Sequence, residues 1–334
     1  MSAAKDHMAT SLIVLLLLLA LLSVVSLAAG DVSIPPATAL SQLFGGDDPV
    51  FGVIVREIRL PRTILALLVG ATLGLSGAAL QGLLRNPLAE PGIIGVSASA
   101  GLGAVITFYF GLATAFPLAL PLGGIAGALI AVILVYLLAG RYGSILTIVL
   151  AGVAVSSFAG ALTALALNLA PSPYAALEIV FWLLGSLTDR SFEHVALAAP
   201  VMAVGWVLLL SSARALDALT LGEETAQTLG FSLRRVQFQV IVGTALSVGA
   251  AVSVTGGIAF VGLVVPHLLR PLVAYSPSRL LPLSALGGAA LLLLADIAVR
   301  SIPVGQELKV GVVTALIGAP FFLYLIMSMK RDSG

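Results

Sequence analysis

Long apolar stretches follow one another along the whole chain, and short polar or Pro- and Gly-containing turns separate them. The hydrocarbon core of a bilayer is about 30 Å thick, so a spanning helix needs about 20 mostly apolar residues. Stretches of that length predict about ten transmembrane helices. They cover residues 11–29, 61–82, 93–111, 117–139, 144–168, 193–211, 235–255, 258–274, 280–299 and 309–329. The stretch 258–274 is the weakest, because Pro266 and His267 interrupt it.

Composition agrees with a membrane protein. Hydrophobic residues make up 60% of the chain and charged residues 9%, whereas a soluble domain carries about 25% charged residues. The longest polar intervals, 30–57 and 214–235, are too short to bury a core of their own. We therefore expect an all-α integral membrane protein in which residues 1–334 form a single transmembrane domain.

The remaining bulk properties exclude several classes of partner. The chain has no cysteine, which excludes disulfides and thiolate metal sites. Its net charge of +1 argues against a nucleic-acid partner. Small-x-x-x-small pairs such as Gly70 with Gly74 and Gly123 with Gly127 predict closely packed helices and say nothing more about function.

The first apolar stretch has two readings. It follows Lys5, and Ser26-x-Ala28 resembles a signal-peptide cleavage pattern. Its apolar run of about 19 residues exceeds the usual signal-peptide core of about 7–15 residues. We expect it to be retained as the first helix. With the N-terminus in the cytoplasm, 10 of the 16 basic residues lie on the inner side, so the positive-inside rule predicts that both termini are cytoplasmic.

Two connecting segments have helical features of their own. Residues 170–192 fall outside in this topology, and their apolar middle is too short to span, which predicts a short re-entrant or interfacial helix. Residues 212–234 fall inside and are amphipathic at helical spacing, with an apolar face of Leu216, Leu219, Ala226 and Leu229. Glycines at 222 and 230 break this segment into two short helices. It is a candidate docking site for a cytoplasmic partner.

The chain lacks motifs for chemistry of its own. A Walker A sequence needs Gly-Lys-Ser/Thr, but the only lysines are Lys5, Lys309 and Lys330, and none follows a glycine. Neither H-E-x-x-H nor G-x-S-x-G occurs. The three histidines stand apart, at positions 7, 194 and 267, and predict no metal site. We therefore expect no catalytic residues.

Ionisable side chains are scarce within the predicted spans. Asp296 is the best case, and it lies four residues before Arg300, a spacing that favours an ion pair over proton coupling. Arg59, Arg62 and Arg300 lie at the same predicted outer face. The charge and position of these arginines leave two interpretations open. They could extend to the membrane interface in the ordinary way, or form a basic ring that docks an acidic partner.

Several long, uncommon sequence strings resemble those of a known family. They occur in the same order as in that family, and the resemblance covers nearly the whole chain. They are RLPRTILALLVGATLGLSGAALQGLLRNPLAEPGIIGVSASAG (59–101), ALTLGEETAQTLG (218–230), GGIAFVGLVVPHLLR (256–270), LLLADIAVR (292–300) and VGVVTALIGAPFFLYL (310–325). They are similar to the permease subunits of bacterial ABC importers for iron-siderophores, haem and vitamin B12.

The resemblance implies a type II ABC importer permease in the bacterial inner membrane. Such a subunit has ten helices and works as a homodimer, or with a similar chain as a pseudo-dimer. Two cytoplasmic ATP-binding subunits use ATP and Mg, a substrate-binding protein docks outside, and the permease itself binds no cofactor. The translocation path follows the dimer interface.

The resemblance also implies roles for particular residues. Arg59, Arg62 and Arg300 match arginines that meet glutamates of the binding protein. The residues that match the ATPase-coupling helices are Leu219, Leu221, Gly222, Glu223, Ala226 and Gly230. Asn86 and Leu88 match one layer of the cytoplasmic gate, and Ser144, Ile145 and Leu146 lie where the other layer falls. The short outer helix of the family corresponds to Glu178–Leu187.

The cargo does not follow from the sequence. A ferric siderophore is the leading prediction because it is the broadest branch of the family, and haem and vitamin B12 are the alternatives. From other classes, a stand-alone secondary carrier and a membrane enzyme are the competing hypotheses. The helical segment 212–234 favours a motor-coupled permease, because a stand-alone carrier does not need it.

Overall fold

The computed structural model describes residues 2–112, 116, 118–140, 144–302 and 308–332, with side chains from residue 8 to residue 327 within those ranges. The described residues are helical or connecting, and none of them forms a β-strand. The α-helices are α1 Ser2–Ala28, α2 Pro36–Leu43, α3 Pro49–Val53, α4 Leu60–Leu84, α5 Val96–Tyr109, α6 Ala119–Ala139, α7 Ile145–Asn168, α8 Pro173–Leu183, α9 Phe192–Ser211, α10 Ala213–Leu219, α11 Glu223–Thr228, α12 Leu233–Thr255, α13 Val261–Leu269, α14 Pro277–Ser301 and α15 Val310–Asp332. A π-helical turn, Ile54–Arg59, joins α3 to α4, and 3-10 turns cover Pro91–Ile94 and Arg270–Val273.

The all-α membrane fold predicted from the sequence is confirmed, and the number of spans is approximate. Among the described residues, eight helices are long and apolar enough to cross a membrane. Two further predicted spans, 93–111 and 258–274, correspond to apolar helices that are shorter than predicted. They are α5, which has 14 residues, and α13, which has 9 and runs directly into the 3-10 turn Arg270–Val273.

Both short helices begin inside the bundle, since the backbone before each of them, which is not α-helical, already lies there. The carbonyl of Gly92, just before α5, lies 3.4 Å from the Ser156 hydroxyl near the middle of α7. Near the start of α13, a Cβ at Gly262 would lie 2.8 Å from the carbonyl of Leu73, near the middle of α4. Irregular backbone at this depth is tolerated where protein rather than lipid surrounds it.

Two helices, α4 and α12, form the buried centre, whereas α1 faces mostly away from the bundle. Small residues let the other helices approach α4. A Cβ at Gly74 would lie 1.9 Å from the Ser284 carbonyl of α14, and one at Gly77 would lie 1.9 Å from the Gly262 carbonyl of α13. The small-residue spacing therefore marks real helix crossings.

Polar side chains join the central helices to each other and to α9. The indole N–H of Trp206 donates to the Thr72 hydroxyl at 2.9 Å, and the Ser76 and Ser247 hydroxyls lie 3.3 Å apart. Such bonds satisfy polar groups that lipid cannot.

A mid-helix proline in α13 is compensated by a side chain of α4. Pro266 has no N–H, so it cannot bond the carbonyl of Gly262 one turn earlier. Gln81 donates its amide to that carbonyl at 3.2 Å. This explains why α13 continues through the proline that made the predicted span look weak.

Candidate functional sites at the two faces of the bundle

The two ends of α4 define two faces of the bundle. Arg59 and Arg62 lie at its first turn, and Asp296 and Arg300 of α14 meet them there. We call this end the arginine face. At the other end lie Arg85, Ser144 and the segment 212–234, which we call the loop face.

At the arginine face, two guanidinium groups cap the C-terminus of α1. Arg59 donates to the carbonyls of Leu27 and Ala28 at 2.9 and 2.8 Å. Arg300 donates to those of Ser26 and Ala29 at 3.0 and 3.1 Å. The last carbonyls of a helix have no partner within the helix, and positive charge there complements the helix dipole.

A buried carboxylate lies between two of the arginines. The side chain of Asp296 is 0% exposed, and its oxygens lie 2.8 Å from a guanidinium nitrogen of Arg62 and 2.9 Å from one of Arg300. The predicted pairing of Asp296 with Arg300 is therefore confirmed, and Arg62 is an additional partner. Together these groups hold the ends of α1, α4 and α14 in one cluster.

All three predicted docking arginines line one cleft at this face. The cleft has a volume of about 350 Å³, and Gly30 and Asp31 also line it. The three arginine side chains are mostly buried: Arg59 is 5% exposed, and the side chains of Arg62 and Arg300 are 11% and 7% exposed. The structure thus brings the trio together, and their role in docking stays a prediction.

At the loop face, the predicted break into two short helices is confirmed. Gly222 separates α10 from α11 with a φ of +106°, and Gly230 ends the second helix with a φ of +88°. Both values lie in the region that glycine adopts without a steric penalty. The apolar face is confirmed for Leu216, Leu219 and Ala226, which are buried, but Leu229 is exposed because it follows the end of α11.

The six predicted coupling residues divide into two groups. Leu219 and Ala226 are each 2% exposed and fix the two short helices to the bundle. Leu221 is 66% exposed, Gly230 is also exposed, and Gly222 and Glu223 are partly exposed. The segment therefore has one side packed on its own chain and one side open.

Two polar links join this segment to spanning helices. Asp217 of α10 accepts the backbone N–H of Ser278, in the first turn of α14, at 2.8 Å. Glu223, the first residue of α11, forms an ion pair with Arg85 at 3.4 Å, directly after the end of α4.

The predicted gate residues lie in two places at the loop face. Asn86 is exposed and accepts the backbone N–H of half-buried Leu88 at 2.9 Å. Ser144 caps α7 by accepting the N–H of Thr147 at 3.2 Å. Ser144 and Ile145 line a cavity of about 770 Å³ together with Glu223. Leu146 points away and is 67% exposed.

Sequence reasoning missed three polar residues, Gln81, Glu90 and Arg270, whose bonds hold residues 85–90, which we call the predicted gate segment. Gln81 donates to the carbonyl of Ala89 at 3.2 Å, and Arg270 donates to the side-chain oxygen of Gln81. Burial raises the pKa of the carboxyl of Glu90, the last residue of this segment. The hydrogen bond that this carboxyl accepts from the backbone N–H of Phe260 lowers the same pKa by less. The proline inside α13 was the available signal, because it implies a carbonyl that needs a partner.

The predicted outer short helix is present with different bounds. It is α8, Pro173–Leu183, rather than Glu178–Leu187, because Ser172 caps its start and Gly185 follows its end with a φ of +76°. Trp182 of α8 packs edge-on against Phe108 of α5, with ring centroids 6.5 Å apart.

Comparison with known proteins agrees with this architecture. The model of the FecCD transport family matches residues 16–328. The Fe(3+)-citrate import system permease protein YfmE of Bacillus subtilis is 37% identical over 326 residues, which cover 96% of each chain. The cobalamin import system permease protein BtuC of Halobacterium salinarum is 43% identical over 274 residues, which cover 82% of this chain and 73% of the relative.

A solved structure is similar over almost the full length. It is a metal-chelate type ABC transporter in an inward-facing conformation, with a TM-score of 0.85, 34% sequence identity, and coverage of 95% of this chain and 98% of that one. The fold, the helical segment at the loop face and these matches lead to one conclusion: the chain belongs to the FecCD transport family.

Proposed function

We propose that the chain is the membrane-embedded permease subunit of an ATP-driven ABC importer in the bacterial inner membrane, and that it carries an iron chelate, with a ferric siderophore as the leading candidate. ATP is hydrolysed by separate subunits. Both termini lie in the cytoplasm, so the loop face is the cytoplasmic face.

The observation that carries this proposal is the half-open helical segment at the loop face. Its buried residues attach α10 and α11 to the bundle, and its open side is free to receive another protein. An ATP-driven permease without a nucleotide-binding motif of its own has to obtain energy from a partner, and a packed helical segment transmits a partner's movement better than a disordered loop.

The partners follow from the same proposal. Two ATP-binding subunits dock at the loop face, a second permease copy completes the translocation path, and a substrate-binding protein docks at the arginine face. The clustering of Arg59, Arg62 and Arg300 around one cleft supports the last of these. Because their guanidinium groups already bond carbonyls or Asp296, an incoming carboxylate would share them rather than meet free charges.

Vitamin B12 is the second candidate cargo, because the cobalamin permease named above is 43% identical to this chain. A stand-alone secondary carrier is disfavoured by the state of Asp296. This carboxylate, the strongest candidate for proton coupling, is fully buried and already held by two arginines at the arginine face.

The decisive experiment reconstitutes the chain in lipid with its cognate ATPase and binding protein. ATP hydrolysis and uptake are measured with the binding protein loaded with ferric siderophore, haem or cobalamin. Stimulation and uptake with the ferric siderophore support the full proposal, and stimulation by another ligand reassigns the cargo. If no ATPase associates with the chain, the importer function is wrong.

The Gly222→Pro variant tests the coupling segment within that system. Proline fixes φ near −65°, which is incompatible with the φ of +106° at this position. We expect the variant to insert in the membrane and to lose transport driven by ATP. Normal transport by this variant would contradict the coupling role.

A further inference from the structure

Arg85, at the start of the predicted gate segment 85–90, contacts Glu223 of the coupling segment 212–234, and a role for this contact rests on the function proposed above. The Arg85 guanidinium lies 3.4 Å from the Glu223 carboxylate, and their side chains are 50% and 40% exposed. The two residues are separated by 138 positions in the sequence. An ion pair this exposed adds little to folding stability.

The backbone of Arg85 gives an independent indication that its side chain matters. It ends α4 in the left-handed conformation, with a φ of +48°. This helix-end position usually holds glycine, because a side chain there clashes with the backbone. A residue kept in a strained conformation, where glycine would fit better, points to a use for its side chain.

Arg85 also immediately precedes the predicted gate residues Asn86 and Leu88. The far end of this segment is anchored: Gln81 holds the carbonyl of Ala89, and the turn Pro91–Ile94 packs on α7, where a Cβ at Gly152 would lie 2.4 Å from the Ile93 carbonyl. The gate residues therefore lie between a fixed end and Arg85.

Glu223, the partner of Arg85 in this ion pair, is the first residue of α11, the helix whose open side would receive the ATPase. Its neighbour Glu224 is exposed and has the same charge, but Glu223 is the one within reach of Arg85. A displacement of α11 consequently moves the group that Arg85 holds.

We propose that Arg85 is a positioning residue for transport, and that its ion pair with Glu223 transmits the movement of α11 to the gate residues Asn86 and Leu88. Because the pair is half exposed, it can break and reform during each transport cycle without unfolding the chain.

The test is a charge-swap series in the reconstituted importer, with cargo transported per ATP hydrolysed as the readout. We expect Arg85→Glu and Glu223→Arg each to lower this ratio about fivefold or more, the lower end of typical coupling between sites. The double variant should recover most of the ratio. The matched control combines Arg85→Glu with Glu224→Arg, which has the same net charge and should not recover it.

A fourth variant separates transmission from folding. Arg85→Gly suits the left-handed backbone, so its melting temperature should equal or exceed that of the native chain. Its transport per ATP should still fall as in the charge-reversed variants. A native ratio in Arg85→Gly, or no recovery in the Arg85→Glu, Glu223→Arg double variant, overturns the inference and leaves the importer function standing. Failure of the native chain to engage an ATPase overturns both.

Discussion

The two ends of α4 carry the same residue type in opposite settings. At the arginine face, Arg59 is buried and bound to helix-end carbonyls, and Arg62, whose side chain is 11% exposed, is bound to a fully buried carboxylate. At the loop face, Arg85 is half exposed, and its ion pair with Glu223 is longer, at 3.4 Å.

This difference implies two mechanical roles. Removing one member of a buried ion pair is strongly destabilising, because it leaves a charge in a medium of low polarity. An exposed pair contributes about 1 kcal/mol or less and can separate at little cost. We therefore expect the helix to be clamped at the arginine face, where the contacts are buried, and free to change its contacts at the loop face.

The largest effect is expected from breaking the clamp. Asp296→Asn removes the charge that Arg62 and Arg300 share, and we expect it to lower the free energy of unfolding by about 3–5 kcal/mol. Thermal or denaturant unfolding in detergent measures this. A melting temperature like that of the native chain would show that the buried cluster is not a clamp.

A smaller effect is expected from forcing α4 and α13 apart. Gly77→Ala would place a Cβ 1.9 Å from the Gly262 carbonyl, and overpacking of this kind costs about 1–3 kcal/mol. Gly160→Ala is the control, because a Cβ there meets nothing within 4 Å. Equal melting temperatures for the two variants would contradict the close helix crossing.

The docking prediction can be sharpened by two substitutions at one position. Arg62→Gln removes the guanidinium charge, whereas Arg62→Lys keeps a positive charge but loses the planar guanidinium group, which can donate two parallel hydrogen bonds. We expect the Gln variant to bind the binding protein about threefold to fivefold more weakly at low salt, or about 1 kcal/mol. The Lys variant should lose less, and the difference should shrink at high salt. Equal affinities at low salt would leave Arg62 as a structural partner of Asp296 alone.

The smallest effect on stability is expected at the loop face. Glu223→Gln makes the same carboxylate-to-amide change as Asp296→Asn, but in an exposed pair, so the free energy of unfolding should fall by about 1 kcal/mol or less. Transport per ATP should fall nevertheless. A loss of stability as large as that of Asp296→Asn would remove the contrast between the two faces.

Most of the architecture was predictable because lipid imposes long apolar helices on any chain that spans it. The two failures, α5 and α13, start inside the bundle, and the length of an apolar stretch does not report the depth at which its helix begins. The two short helices of the segment 212–234 were predictable as well, because Gly222 and Gly230 interrupt an amphipathic helical pattern.

The site geometry was less accessible from sequence. Asp296 and Arg300 are four residues apart, so their pairing followed from helical spacing, but Arg62 pairs with Asp296 across 234 positions. Arg85 and Glu223 are likewise distant. The burial of Arg59 depends on carbonyls at the end of α1, and nothing in its own neighbourhood in the sequence indicates that contact.

The central position of α4 has a consequence for biosynthesis. Its polar partners on α9 and α12, Trp206 and Ser247, are made long after Thr72 and Ser76. At about 5–20 residues per second, ribosomes complete the start of α12 roughly 10–35 s after the start of α4. This central helix therefore waits in the membrane without its native polar contacts. We expect α4 to depend on the insertion machinery for longer than α1, whose side chains mostly face away from the bundle.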